Sequence, residues 1–442
     1  MKLNIKNLAI AGLVGLTFTA CTFDEVPNPN APSVEDATSD PGLPELNNLV
    51  RGTESAMRNG MTIYTTALGT ISRELYLFDA DPRNTDDLLG KNGKTLDNNS
   101  FYSTAAWNSR YRCIKNCNLV MEAVNATTAV TDAEADGYRG FANTVMALQY
   151  LLVLNSQDEN GLRQDVADPL NLGPIVTSKA DNLTFIQGLL STAATQLGNA
   201  GSDFAFDLSS GFDGFDTPAT FLEFNRALAA RVSIYQEDWS GAITALNASF
   251  FDIAGDMAEG PEHFFSTGQN DLLNGVFKAP DQNGDQIIVH DDFINDAEAG
   301  DLRVAAKTAA RANPSTQDGL TGTHETRLYS SPSDGIDIIR NEELVLIYAE
   351  ANAQLGNTTE ATDGINAIRS NAGLADYAGA TDANSLIDEI LNQRRYSLWC
   401  EAHRAVDLRR YDRLNDANVA VDRAGDVVYE RFPIPLNDVD AD

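Results

Sequence analysis

Apolar residues recur at helical spacing along most of this chain. The stretch from Leu46 to Leu77 predicts two helices, broken near Asn59-Gly60. Further helices are predicted over Trp107 to Val124, Asp132 to Leu154 and Leu183 to Leu197. Thr217 to Tyr235 and Trp239 to Leu246 form a pair. From about Phe250 to Ile338 the periodicity lapses and Gly, Asp, Asn and Pro become frequent, as in loops that carry function. Helical spacing returns at Asn341 to Leu355, Thr358 to Arg369 and Ala383 to Leu414. Strand signal is confined to Gln286–His290, Arg327–Tyr329 and Val427–Phe432. The expectation is a mostly α fold with one irregular, loop-rich lobe.

Two helix pairs share a pattern. Ala230 and Ala242 lie twelve apart, with Leu246 four further on; Ala349 and Ala361 repeat the interval, with Ile365 four further on. A small residue on each of two antiparallel helices lets the backbones approach, and a branched residue one turn later packs beneath. This is the pattern of tetratricopeptide-like repeats, although two generic helical hairpins would give the same spacing.

The N-terminus reads as a sorting signal. Lys2 and Lys6 precede an uncharged, mostly apolar run from Leu8 to Phe18, then Thr19-Ala20-Cys21. The run is too short for a permanent membrane helix and fits a signal peptide over residues 1–20. Cys21 stands where a bacterial lipoprotein carries its lipid. Residues 21–44, with five prolines and many small or acidic residues, predict an extended tether.

Charge narrows the ligand class. The 442 residues include 64 Asp and Glu against 31 Lys and Arg, a formal net charge of -33. Such a field repels phosphate backbones and excludes nucleic-acid binding; it also disfavours anionic polymers unless a local basic pocket overrides it. Cys113 and Cys117, four apart on one helix face, make a poor disulfide, and with Cys400 they are expected as buried free thiols.

The last third carries the most specific pattern. Arg340 to Ala351, Gln393 to Arg410 and Pro433-Ile434-Pro435 interleave charges of both signs with an apolar stripe of Leu344, Tyr348, Ala351 and Leu355. Glu343, Glu350, Arg369, Arg394, Arg395, Glu401, Arg404, Asp407 and Arg409 predict ion-paired helix packing. These segments resemble the C-terminal hallmark of SusD/RagB lipoproteins. The helix from Trp107 to Asn118 and the stretch from Phe141 to Leu154, followed by Gly173-Pro174-Ile175-Val176, resemble that family's N-terminal half. Ala402 departs from it, standing where the pattern usually has Gly.

The resemblance implies four tetratricopeptide-type helix pairs with an irregular lobe packed against them. It implies one SusD/RagB-like domain over residues 45–442, with helical repeats at about 45–248 and 340–414 and the irregular lobe at about 250–338. It also implies an outer-membrane lipoprotein facing the cell exterior, which delivers oligosaccharides or other nutrients to a SusC-type TonB-dependent transporter without chemistry.

Sugars are held by stacking on rings and by hydrogen bonds from polar side chains. The richest such mixture runs from Tyr76 to Tyr111, and the candidate ligand residues are Tyr76, Asp81, Arg83, Asn84, Tyr102 and Trp107. Trp239 and Trp399 read as structural. Asp281, Asn283 and Asp285, with Asp292 beyond, resemble the start of a calcium loop, although Gln286 takes the place of its usual glycine. No nucleophile elbow, zincin motif or dinucleotide fingerprint is present, and the four histidines are dispersed. The reading is therefore a binding protein. A tetratricopeptide scaffold for proteins and a glycoside hydrolase are the alternatives.

Overall fold

The structure is a computed structural model, and it describes residues 38–419 and 421–439. The segment predicted as a signal peptide, Cys21 and most of the predicted tether lie outside these residues. No helix among the described residues is long and apolar enough to cross a membrane.

The architecture is mostly helical. Helices α1 (Leu43–Met57) and α2 (Met61–Ile71) meet at Gly60, whose φ of 70° is left-handed. A Cβ there would come within 2.6 Å of the Ser109 hydroxyl, so the break predicted at Asn59-Gly60 also lets the next long helix pass close. That helix, α3 (Phe101–Ala126), packs on α4 (Asp132–Gln157). Then α5 (Lys179–Asn199) packs on α4, α6 (Pro218–Tyr235) on α5, and α7 (Trp239–Leu246) on α6. Thr131 and Glu134 form a full capping box at the start of α4, satisfying two end-of-helix donors.

The chain returns to helix in α10 (Asn341–Leu355), α11 (Thr358–Asn371), α12 (Ala383–Ser397) and α13 (Arg404–Arg410), ending in the short α14 (Leu436–Val439). The repeat pattern is real packing. Ala230, Ala242, Leu246, Ala349, Ala361 and Ile365 are all buried. Gly364 on α11 lies so near α10 that an added Cβ would meet that of Ala349 at 2.9 Å.

Between the helical stretches lie β4 (Glu262–His263), β5 (Asp285–Val289), the short helices α8 (Asp291–Asn295) and α9 (Leu302–Lys307), β6 (Thr308–Gln317), β7 (Leu320–Thr326) and β8 (Ile336–Asp337). The main sheet has the order β1-β5-β7-β6, where β1 is Leu75–Asp79. A two-stranded pair, β2 (Leu162–Arg163) and β3 (Ile175–Val176), closes the loop after α4.

Several expectations are corrected. The segment after Ile71 is not the tail of a helix: Leu75 to Asp79 pair antiparallel with β5, Leu75 opposite Val289 and Asp79 opposite Asp285. Pairing across more than two hundred residues overrides a local apolar run that suits either state. Arg327–Tyr329 and Val427–Phe432 form no strand; the unpredicted hairpin of β6 and β7 supplies the sheet instead. The predicted helix over Ala383–Leu414 divides into α12 and α13, because Cys400 (φ 63°) and Ala402 (φ 66°) turn left-handed between them. Ala402 thus occupies a conformation that glycine takes without the Cβ clash. Cys113, Cys117 and Cys400 are free and buried, as expected.

Ion pairs tie the helical stretches together. Arg231 on α6 grips Glu343 on α10, with Nε to Oε1 at 2.6 Å, and Arg394 on α12 meets Asp407 on α13 at 2.7 Å. Arg410 meets Glu350 at 2.6 Å, and Arg369 bridges Glu298 and Glu389. Burial alone would raise the carboxyls of Glu343 and Asp407. The facing arginines outweigh it and hold both down at about 2. Trp399 is core: it stacks near Phe293 and donates its indole N–H to the Glu74 carbonyl.

Candidate functional site

The residues expected to contact ligand are divided between interior and surface. Tyr76 is buried on β1, stacked on Phe78 with ring centroids 5.7 Å apart, and burial and Asp422 push its phenol well up. Asn84 is buried and donates to Asp79. Tyr102 is buried, its hydroxyl donating to Asp87 at 2.8 Å. Asp81 and Arg83 stand at the surface as a pair. The Asp81 carboxylate caps the Arg83 N–H, accepts from its guanidinium and is thereby held below the usual carboxylate range. Arg83 lies 4.8 Å over the Phe101 ring. Trp107 is only 3% exposed. His290 and Phe293 of the irregular lobe are buried too, His290 held by Asp422 at 3.0 Å.

Each of the three residues of the calcium-like segment already accepts from a donor of the protein. Asp285 pairs with Lys278 at 2.6 Å, Asn283 accepts from Gln286 and Arg311, and Asp281 accepts the Ala312 N–H. Among the described residues no group of three or more His, Cys, Asp or Glu side chains is placed to hold a metal ion.

Among the described residues, two of the concavities are lined by both tryptophan and tyrosine. The larger, of about 600 Å³, is lined by Trp239, Tyr411, Arg409, Arg410, Arg431 and Lys179 among others. Trp239 is therefore half-buried at a cleft wall, beyond the purely structural place expected of it. The cleft's cations are taken. Asp158 meets Lys179 at 2.8 Å and Arg409 at 3.1 Å, and Glu350 meets Arg410 and the Tyr411 hydroxyl.

The smaller is a trough of about 360 Å³ along α3. Trp107 and Tyr111 line it, with ring centroids 4.7 Å apart. Its far wall is Val166, Ala167, Pro169 and Leu172, in the loop between β2 and β3. That loop is braced at its base, where Gly173 donates to the Asp165 carbonyl, and at its tip, where Asp168 accepts the Leu170 N–H. Arg163 anchors it further, donating to the Gly173 carbonyl at 2.6 Å and to the Asp438 carbonyl at 2.6 Å. The Tyr111 hydroxyl accepts the Arg163 N–H at 2.8 Å, and burial raises its phenol. Asn108, Arg112 and Lys115 line the near rim. Apolar walls with a few polar groups at the rim suit binding of an amphipathic ligand.

Of the residues chosen from sequence, only Trp107 lines this trough. Arg112, Lys115 and Leu172 were missed. A signal was available: no Asp or Glu occurs from residue 98 to 121, in a chain with 64 of them, while Arg110, Arg112 and Lys115 all fall there.

The SusD family model matches residues 317–439, which hold the ion-paired helices described above. A SusD-like protein of Formosa agariphila is 32% identical over 123 residues, 26% of this chain and 24% of that protein. A SusD superfamily protein from Bacteroides vulgatus shares the fold with a TM-score of 0.68 at 16% identity, over 90% of this chain and 97% of the other. Residues 317–439 thus match the SusD family, and nine-tenths of the chain shares its fold with a SusD superfamily structure. The fold is also shared with surface glycan-binding protein A from Bacteroides thetaiotaomicron in complex with laminarihexaose, which superposes with a TM-score of 0.71 at 14% identity, over 90% of this chain and 97% of that one. The match to the Formosa protein spans about a quarter of that protein's length.

Proposed function

We propose that this SusD-like chain captures an oligosaccharide or polysaccharide at the cell surface and passes it to a SusC-type TonB-dependent transporter, without catalysing a reaction. The observation that carries this reading is a fold shared, over nine-tenths of both chains, with a glycan-binding protein in complex with laminarihexaose. In this reading Cys21 carries the lipid that holds the protein on the outer membrane, residues 21–44 are the tether, and residues 45–442 act as one unit. The α3 trough is the capture site: Tyr111 and the Trp107 edge offer ring surface, and Asn108, Arg112 and Lys115 offer donors. An open trough of this size suits millimolar to micromolar affinity, on the order of -4 to -8 kcal/mol.

The test is electrophoresis of the full chain in native gels cast with laminarin and with a panel of other polysaccharides, beside an Asn108→Ala/Leu172→Ala variant. Both side chains are exposed, so the variant keeps its fold. Retardation that the variant loses is the expected result. Retardation by no polysaccharide would overturn glycan capture, and release of reducing sugar from any of them would overturn the non-catalytic reading.

A further inference from the structure

Acids outnumber bases two to one in this chain, so its cations are in demand. Among the described residues four lysines and arginines are exposed: Arg51, Lys94, Arg112 and Lys115. Arg51 pairs with Asp207 and Lys94 with Asp87. Arg112 and Lys115 have no ion pair and no hydrogen bond. They are three apart on α3, hence neighbours on one helix face, and both line the trough. The acid that also lines it, Asp438, is held by Arg163 at 3.6 Å.

Chance alone would pair these two cations in so acidic a molecule. The helix keeps them free, because positions 108, 109, 111, 116, 118 and 119, the three- and four-residue neighbours of one or the other, hold Asn, Ser, Tyr, Asn, Asn and Leu. The opposite wall is apolar. A ligand that satisfies both sides has an apolar face for Tyr111, Pro169 and Leu172 and an anionic group for the rim.

We propose that the trough binds an acidic sugar unit, its carboxylate or sulfate group held between Arg112 and Lys115 and its C–H face against Tyr111. The proposal rests on the glycan-capture reading and narrows it to anionic glycans. A guanidinium and an ammonium side by side fit either group: the guanidinium gives a planar fork and the ammonium a point charge.

The experiment is biolayer interferometry of the full chain against polygalacturonate, a sulfated carrageenan, neutral laminarin and poly-glutamate, with an Arg112→Gln/Lys115→Gln variant and a charge-keeping Arg112→Lys/Lys115→Arg variant. Binding of polygalacturonate or carrageenan, weakened at least about tenfold in the glutamine variant and kept in the charge-swapped one, is expected; which polymer binds names carboxylate or sulfate as the group. Anionic binding that the glutamine variant retains in full would overturn the proposal. Binding of laminarin alone would overturn it too and leave glycan capture standing. Binding of poly-glutamate alone, lost in the glutamine variant, would overturn the proposal and glycan capture together and assign the trough to an acidic protein segment. Binding of none of the four would overturn the proposal and leave glycan capture to the wider gel panel.

Discussion

Replacing Glu343 by Gln should cost about 3–5 kcal/mol of unfolding free energy, because it strands a buried guanidinium. Arg231 and Glu343 are both almost wholly inside, with 5% and 2% of their side chains accessible. The carboxylate takes the Arg231 Nε–H at 2.6 Å and lies 3.8 Å from His403. In Glu343→Gln the arginine keeps the Ile338 carbonyl at 2.9 Å but loses its counter-charge. An independent route gives the same size. The Glu343 carboxyl is held at about 2 against an ordinary 4.5, a gap worth about 3 kcal/mol. A depressed carboxylate contributes stability that is full above the unfolded value and is lost as pH falls through the folded one, so the contribution should fade between pH 4.5 and about 2. Urea unfolding at pH 7 and at pH 3 measures both. The Arg231→Met/Glu343→Leu double variant should recover most of the loss, since well-packed apolar pairs commonly replace buried ion pairs without penalty. A loss below about 1 kcal/mol in Glu343→Gln, or a double variant as unstable as the two single ones summed, would refute the reasoning.

Glu74→Gln should stabilise the protein near pH 8 and do little at pH 4.5. Burial, opposed by the Cys400 backbone, raises the Glu74 carboxyl to about 8, so its folding penalty grows as pH rises from 4.5 and urea midpoints at the two pH values reveal it. Adding calcium or EDTA should leave the thermal midpoint unchanged, because Lys278 and Arg311 already face Asp285 and Asn283; a calcium-dependent rise in differential scanning fluorimetry would restore the calcium reading. Trp107→Ala should lower stability by about 3–5 kcal/mol, as expected for a side chain only 3% exposed, so any ligand effect in that variant must be read against its urea midpoint.

The helices were legible because their signals are local. Apolar periodicity, the break at Asn59-Gly60, and the alanine spacing at 230/242 and 349/361 depend on near neighbours, and the structure keeps each. The sheet was not legible. β1 is sealed by β5, and β6 carries Ala, Asn, Pro and Ser where a strand pattern would have branched residues; its pairing with β7 even shifts register between Ala310 and Ser315. The aromatic residues misled for a similar reason. Tyr76 and Tyr102 are rings beside polar groups, which describes both a sugar platform and a tyrosine whose hydroxyl is satisfied indoors. The chain alone does not say that Asp422 and Asp87 are the partners that draw them in.

The net charge and the trough point opposite ways only if charge is treated as a single number. At physiological salt the screening length is about 8 Å, so a bound anionic group feels the groups around the trough and little of the distant surface. Some acids elsewhere in the molecule are also committed, as the pairs of Arg231, Arg340, Arg394 and Arg410 with Glu343, Glu401, Asp407 and Glu350 illustrate. An excess of acid makes a free cation expensive to keep, because a nearby carboxylate would capture a flexible arginine or lysine. A run of 24 residues without one, over the helix that lines the trough, is what leaves Arg112 and Lys115 available. The overall charge then keeps the protein soluble and repels most anions at a distance, while one helix face stays open to a ligand that can bring both an anion and an apolar ring to the same place.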